Sequence, residues 1–245
     1  VIQYKPTREQ VHQIPVVIVA PWINKFYIMD LDPRKSMVRY LLDQGYTVFM
    51  TSWRNPPADL AEVRFEDYMT DGVDAIVDTA RSICRVSKVH AVGYCLGGTM
   101  LSTYMAWLNR RFPSPDDHPI PHWTLLASLQ DFSQPGEIEV FLDEDSVAEL
   151  TRMMQRRGYL EGREMGTAFR MLRANSLIWH YVKHKYLYGE TPPPLDVLFW
   201  NTDGTRMPAG MHSYYLKELY INNRLIEIEN THNRAGGTIF PLDEM

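Results

Sequence analysis

Residues 89–99 read VHAVGYCLGGT: an apolar run, a cysteine set between glycines, and the first residues of a helical stripe. A side chain at a strand end projects from a tight strand-to-helix turn only where the flanking backbone is uncrowded. Gly93 and Gly97, two places before and two places after Cys95, meet that need, and Gly98 lets the following helix approach the sheet closely. The stretch therefore calls for a strand over 89–94, Cys95 at the apex of a sharp turn, and a helix over 97–111. The N-terminus of that helix brings free N–H groups and the positive end of the helix dipole under the sulfur, which favours a thiolate.

The chain on either side repeats the alternation. Residues 15–21 (PVVIVAP), 46–53 (YTVFMTSW) and 122–129 (HWTLLASL) read as further strands, rich in β-branched and aromatic residues. Helices are predicted over 34–43 and over 66–84, the latter on the spacing of Met69, Val73, Ile76, Val77, Ala80 and Ile83. Alternating strands and helices predict a mostly parallel α/β sheet with helices on both faces, of the α/β-hydrolase type. Residues 1–132 form this core with its nucleophile elbow. Residues 133–230 read as a mainly helical cap subdomain, with helices over 137–157, 178–188 and 213–225 and no clear strand. Prolines over 192–194 break the pattern locally. Cap aromatics such as Phe169, Trp179, Tyr215 and Tyr220 are expected mostly to pack the cap onto the core.

Composition removes several classes of function. A net charge of −5 without a long run of one sign leaves no electrostatic footprint for nucleic acid. The eight histidines show no metal-ligand spacing, so neither a metal nor a cofactor is expected. His180 and His184 share a helix face without a third ligand in view, and His90 falls inside a core strand. Cys84 and Cys95 are separated by a predicted strand, so no disulfide framework is expected, and a reducing, cytoplasmic location fits. Cys84 reads as packing. No transmembrane segment or signal peptide is seen.

A cysteine in this position is the nucleophile of an acyl-transfer site. Its oxyanion is to be held by two backbone N–H groups. One belongs to Leu96, the residue after the nucleophile. The other comes from the loop after the first strand, within 22–24, at Ile23 or Asn24. Asp30, Asp131 and Asp203 are buried-loop positions by sequence, read as bonding turn backbone rather than as the catalytic acid.

With the elbow in place, the flanking residues resemble the polyhydroxyalkanoate synthases, near the class I, poly(3-hydroxybutyrate)-forming type. The resemblance rests on residues 3–6 (QYKP), 21–31 (PWINKFYIMDL), 44–49 (QGYTVF), 52–56 (SWRNP), 93–99 (GYCLGGT), 175–179 (NSLIW) and 198–205 (LFWNTDGT). It implies an acyltransferase that polymerises (R)-3-hydroxyacyl-CoA through a Cys95 thioester, releasing CoA. It also implies a growing polyester product, a homodimer and attachment to polymer granules. A thioester donor suits a thiol acceptor, because acyl transfer between sulfurs is nearly isoenergetic and the enzyme-bound acyl group stays activated.

The resemblance also calls for a His base and an Asp partner beyond the cap, and their motifs are not found. One reading takes residues 231–245 as the start of a truncated remainder of the core, which leaves the chain a fragment inactive by itself. Another recruits His232 and Asp243. Two other functions stay open: a Cys-dependent hydrolase resembling dienelactone hydrolase, which carries a similar elbow, and an inactive synthase-like partner.

Overall fold

The computed structural model describes residues 1–226 apart from 113, 115, 173 and 192–195. His232, Asp243, the predicted tail over 231–245 and the proline breaker over 192–194 lie outside the described residues, as does the Phe169 side chain.

Four strands run parallel: β2 (Val16–Val19), β3 (Val48–Met50), β4 (His90–Tyr94) and β5 (His122–Leu126). A two-residue β1 (Ile2–Gln3), too short to show a pattern, pairs antiparallel with β3, giving the order β1-β3-β2-β4-β5. β2 and β3 are buried throughout, as continuous apolar runs in a parallel sheet require. Both predicted outer strands end early. After Met50 the Thr51 hydroxyl takes the Ala20 N–H at 2.8 Å, and Ala127 turns the chain out of β5 with a φ of 50°.

Three helices connect these strands. α1 (Met37–Asp43) starts later than predicted because Ser36 caps it, accepting from the Arg39 N–H at 2.8 Å. α2 spans 65–84 with a wide π turn over Tyr68–Asp74, and buries Met69, Val73, Ile76, Val77 and Ala80 as their spacing predicts. Ile83 of the same stripe stays exposed. α3 (Leu96–Arg111) follows β4. α1 covers the face carrying Ile18, Val48 and Met50; α2 and α3 cover the face carrying Val17, Phe49 and Ala91. The chain moves from β2 outward to β3, then crosses back to β4 on the other side of β2. The carboxyl ends of β2 and β4 therefore adjoin where the strand order reverses, the place where open α/β sheets form their binding crevice.

The stretch after β5 corrects the sequence reading in three places. It does contain strands: β6 (Tyr159–Leu160) and β7 (Met207–Pro208) form a short antiparallel ribbon between segments far apart in sequence, which periodicity does not reveal. The helix predicted over 137–157 is broken into a 3-10 turn at Gly136–Phe141 and α4 (Glu144–Arg157). Asp143 makes the break by capping α4, accepting from the Ser146 N–H at 2.9 Å. Two helices were not foreseen, α5 (Gly162–Leu172) and, after α6 over 175–187, α7 (Asp196–Thr202). The last helix, α8, runs over 209–221 and so begins before the predicted 213. Val147, Met154, Leu160, Met207, Met211 and Tyr215 join the core that contains Val17 and Phe49, so these helices share one apolar interior with the sheet. Among the described residues no helix is long and apolar enough to cross a membrane.

Candidate active site

Cys95 stands at the N-terminal cap of α3 with φ 52° and ψ −125°, a conformation that residues bearing a Cβ rarely adopt. Such strain costs on the order of 1–3 kcal/mol and persists only where neighbours fix it. Here the Cys95 N–H donates to the Leu126 carbonyl at 2.9 Å, while its own carbonyl accepts from Gly98 N–H at 2.9 Å and Thr99 N–H at 3.3 Å. The predicted glycines lie where no side chain fits. A Cβ on Gly97 would fall 2.1 Å from the Val19 carbonyl oxygen, and one on Gly93 would fall 2.4 Å from the Gly98 Cα. On Gly98 it would meet Ser128 Oγ at 2.4 Å. These contacts press the elbow against the ends of β2 and β5.

The Cys95 thiol is exposed, yet it sits low enough among its neighbours that desolvation pushes its pKa up. The Leu96 N–H donates to the sulfur and opposes that rise without cancelling it. The helix N-terminus thus acts in the expected direction through one N–H, and loss of water outweighs it. No histidine or carboxylate among the described residues is hydrogen-bonded to Cys95. Cys84 is half-buried against the core, and burial raises its thiol as well.

Three tyrosines that sequence reasoning did not assign to the site lie within electrostatic reach of the sulfur. Burial raises the pKa of Tyr94, Tyr215 and Tyr220, and the charge of Cys95 adds to each rise. The Tyr215 hydroxyl donates to that of Tyr220 at 3.3 Å, and Phe132 packs edge-on against both rings. The two tyrosines are five apart, which an α-helical period sends to different faces. Tyr215–Ile221 is π-wound, and the wider turn brings them together.

The predicted oxyanion loop leaves β2 beside the elbow. Trp22 is buried with its ring edge-on to Phe65, Tyr68 and Tyr215. The segment that follows α7 holds the loop. Thr205 N–H donates to the Ile23 carbonyl at 2.7 Å, and Asn24 forms an isolated antiparallel bridge with Gly204. Trp200 Nε1 donates to the Lys25 carbonyl at 2.7 Å, and the Tyr27 hydroxyl to Asp203 Oδ2 at 2.8 Å. The Ile23 contact uses its carbonyl and not its N–H. Leu96 and the Ile23–Asn24 pair thus stand at the adjoining ends of β4 and β2.

Asp30 and Asp131 have structural partners, whereas the buried Nδ1 of His90 has none. Asp30 accepts from the Ser36 hydroxyl at 2.6 Å. Asp131, exposed rather than buried, accepts from Ser133 N–H and Asn223 Nδ2. His90 lies in β4 with its ring 5.4 Å from that of His122. The His180 and His184 rings lie 4.3 Å apart, tilted by 40°, and His184 Nδ1 pairs with Glu190. No group of three potential ligands that could hold a metal occurs among the described residues.

Two cavities are present, neither lined by Cys95. One, of about 370 Å³, adjoins the loop after β2 and is lined by Ile23, Asn24, Arg163, Arg170 and Gly204 among others. The other, of about 460 Å³, is almost wholly apolar and lies between the turn at 136–142, α4, α5 and α8.

The sequence profile of the poly-beta-hydroxybutyrate polymerase (PhaC) N-terminus matches residues 1–41, a span that includes Ile23 and Asn24. The poly(3-hydroxyalkanoate) polymerase of Methylorubrum extorquens is 44% identical over 228 residues, covering 91% of this chain. The poly(3-hydroxyalkanoate) polymerase subunit PhaC of Cupriavidus necator is 41% identical over 230 residues, again 91% of this chain. Over nine-tenths of its length the chain is similar to the poly(3-hydroxyalkanoate) polymerases. It spans little more than a third of these polymerases, 36% of the first and 38% of the second. Among solved structures, a candidate lipase from Sulfolobus solfataricus superposes with a TM-score of 0.53 at 14% identity, covering 83% of this chain and 67% of that one. That likeness gives the polymerase-related chain an α/β-hydrolase fold and says nothing of its substrate.

Proposed function

We propose that this chain carries the acyl-accepting half of a polyester polymerase, with Cys95 as the nucleophile. The observation that carries the reading is a strained, glycine-framed Cys95 at the sheet's switch point, in a chain 41–44% identical to poly(3-hydroxyalkanoate) polymerases over nine-tenths of its length. In this reading the sulfur attacks the carbonyl carbon of an (R)-3-hydroxyacyl-CoA. The Sγ–C bond forms, the C–S bond to CoA breaks, and CoA leaves as its thiol after taking up a proton. The hydroxyl oxygen of a second unit then attacks the carbonyl carbon of the Cys95 thioester; the C–Sγ bond breaks, the hydroxyl proton passes to the cysteine sulfur, and the polyester lengthens by one unit. Leu96 N–H, with Ile23 or Asn24 N–H, stabilises the tetrahedral oxyanion. Residues 133–230 act as the cap. A second copy of the chain and a polymer granule surface are the partners this reading implies, and it implies a cytoplasmic location.

A raised thiol pKa, with no base bonded to the sulfur among the described residues, makes acylation slow at neutral pH and faster as the thiolate forms. The test is incubation with (R)-3-hydroxybutyryl-CoA across pH 7–9, following free CoA and product, with Cys95→Ala as control. CoA release that rises with pH and vanishes in Cys95→Ala supports the nucleophile; polymer alongside it supports the polymerase. Free hydroxy acid without polymer assigns the chain to the hydrolases. A wild-type chain no different from Cys95→Ala leaves Cys95 without a catalytic role in this chain by itself.

A further inference from the structure

The helix α6 presents two histidines that the polymerase reading does not use. His180 is exposed and the His184 side chain is 35% exposed, so both rings are open to solvent. Their centres lie 4.3 Å apart, with the planes tilted by 40°. The winding changes between them: His180–Val182 is α-helical and Lys183–Leu187 is π-wound. A step of four residues returns to within about 40° of one face in either winding, so both rings stay on the same side.

Spacing alone does not show how His184 is held. Gly189, with a φ of 67°, turns the chain back at the end of α6, and the Glu190 N–H then donates to the His184 carbonyl at 2.9 Å. That turn seats the Glu190 carboxylate on His184 Nδ1. A histidine that binds a metal through one ring nitrogen almost always gives the other to a carboxylate, carbonyl or water, which fixes its tautomer and its direction. Here Nε2 is the nitrogen left to ligate, and the charge of Glu190 offsets part of that of a cation. The neighbouring ammonium groups are drawn aside, Lys183 over the Tyr188 ring at 5.3 Å and Lys185 over the Tyr186 ring at 5.9 Å.

The ring spacing fits one shared ion. With metal–nitrogen bonds of about 2.0–2.1 Å, two imidazoles at adjacent coordination positions have centres on the order of 4.5–5 Å apart. The observed 4.3 Å is short of this by a few tenths of an ångström, within the reach of a small change in χ angles. Calcium and magnesium take oxygen ligands, whereas imidazole suits zinc, copper and nickel. We propose that His180 and His184 form a two-histidine site for a divalent transition-metal ion, with Glu190 as the positioning residue behind His184. Water completes the coordination. The bound ion fastens α6 where its winding changes. The site does not depend on the polymerase reading.

The test is calorimetric titration with ZnCl2 of the wild-type chain, His180→Ala, His184→Ala and the double variant. Any thiol site is common to all four chains, so the differences isolate the pair. The wild type is expected to bind one more Zn2+ than the double variant. Each single change is expected to weaken that binding at least about 10-fold, because the second imidazole binds intramolecularly. The double change should add little to either single one. Glu190→Ala is expected to weaken it about 10-fold, and Glu190→Gln, which keeps an acceptor for Nδ1, to retain most of it. MgCl2 is expected to give no difference between the chains. With CuCl2, electron paramagnetic resonance is expected to show coupling to two ring nitrogens in the wild type and fewer in either single variant. Zn2+ binding equal in wild type and double variant, a difference equally large with Mg2+, or a copper spectrum unchanged by His184→Ala overturns the proposal. Unchanged affinity in Glu190→Ala overturns the positioning role.

Discussion

Gly97 lies so close to Val19 that a Cβ on it would fall 2.1 Å from the Val19 carbonyl oxygen. The clashing atom is sheet backbone, which cannot swing aside as a side chain can. Gly97→Ala is therefore expected to destabilise the fold by about 1–3 kcal/mol, the usual cost of overpacking a core. Gly166, within α5, has nothing within 4 Å of the same added atom. Gly166→Ala is expected to stabilise by about 0.5–1 kcal/mol, because alanine loses less backbone entropy in a helix. Urea unfolding of both variants checks the pair, and opposite signs are the result required.

The two cysteines offer a second comparison. Desolvation raises both thiols, but Cys95 is exposed and accepts the Leu96 N–H, whereas Cys84 is half-buried. Iodoacetamide is expected to modify Cys95 faster than Cys84 near neutral pH. The Cys95 rate should climb through pH values above the ordinary thiol pKa, because only the thiolate attacks. Peptide mapping after timed quenching reads both sites. Equal slow rates remove the claim that the elbow presents a usable nucleophile.

The elbow was legible because its requirements are local. Gly93, Gly97 and Gly98 answer to a turn a few residues long, and strand context follows from short apolar runs. The tyrosine pair was not legible, because a π turn in α8 changes which residues share a face and an α-helical reading separates Tyr215 from Tyr220. The grip of Thr205, Trp200 and Asp203 on residues 23–27 joins segments distant in sequence, and no pattern within either one encodes it. The ribbon of β6 and β7 was missed for the same reason. The thiol's pKa depends on how much water the surrounding rings exclude, and spacing alone carries no measure of that.

Tyr220 supplies the acceptor for the fully buried Tyr215 hydroxyl at 3.3 Å. Tyr220→Phe leaves that hydroxyl unpaired in the core, at a cost of about 1–3 kcal/mol. Tyr215→Phe,Tyr220→Phe removes both hydroxyls and is expected to cost less than the sum of the single changes. A double-mutant cycle in urea measures the difference. Additive costs would show that the two hydroxyls do not interact.

His212, fully buried on α8, ties stability to pH. Its folded pKa of about 4 lies below the ordinary 6.5, because burial disfavours the charged ring. Between those values the unfolded chain binds the proton that the folded chain refuses, so stability rises with pH across that window. The contribution is complete above about pH 6.5 and is lost as pH falls toward 4, a span worth about 3 kcal/mol. Burial lowers the pKa of His90 and His118 as well, and they add to the same slope. His212→Leu should therefore flatten the acid limb of the stability curve without abolishing it. Urea midpoints at pH 7.5, 6, 5 and 4.5 for both chains give the comparison. Parallel curves for wild type and variant would mean that His212 is not held neutral by burial.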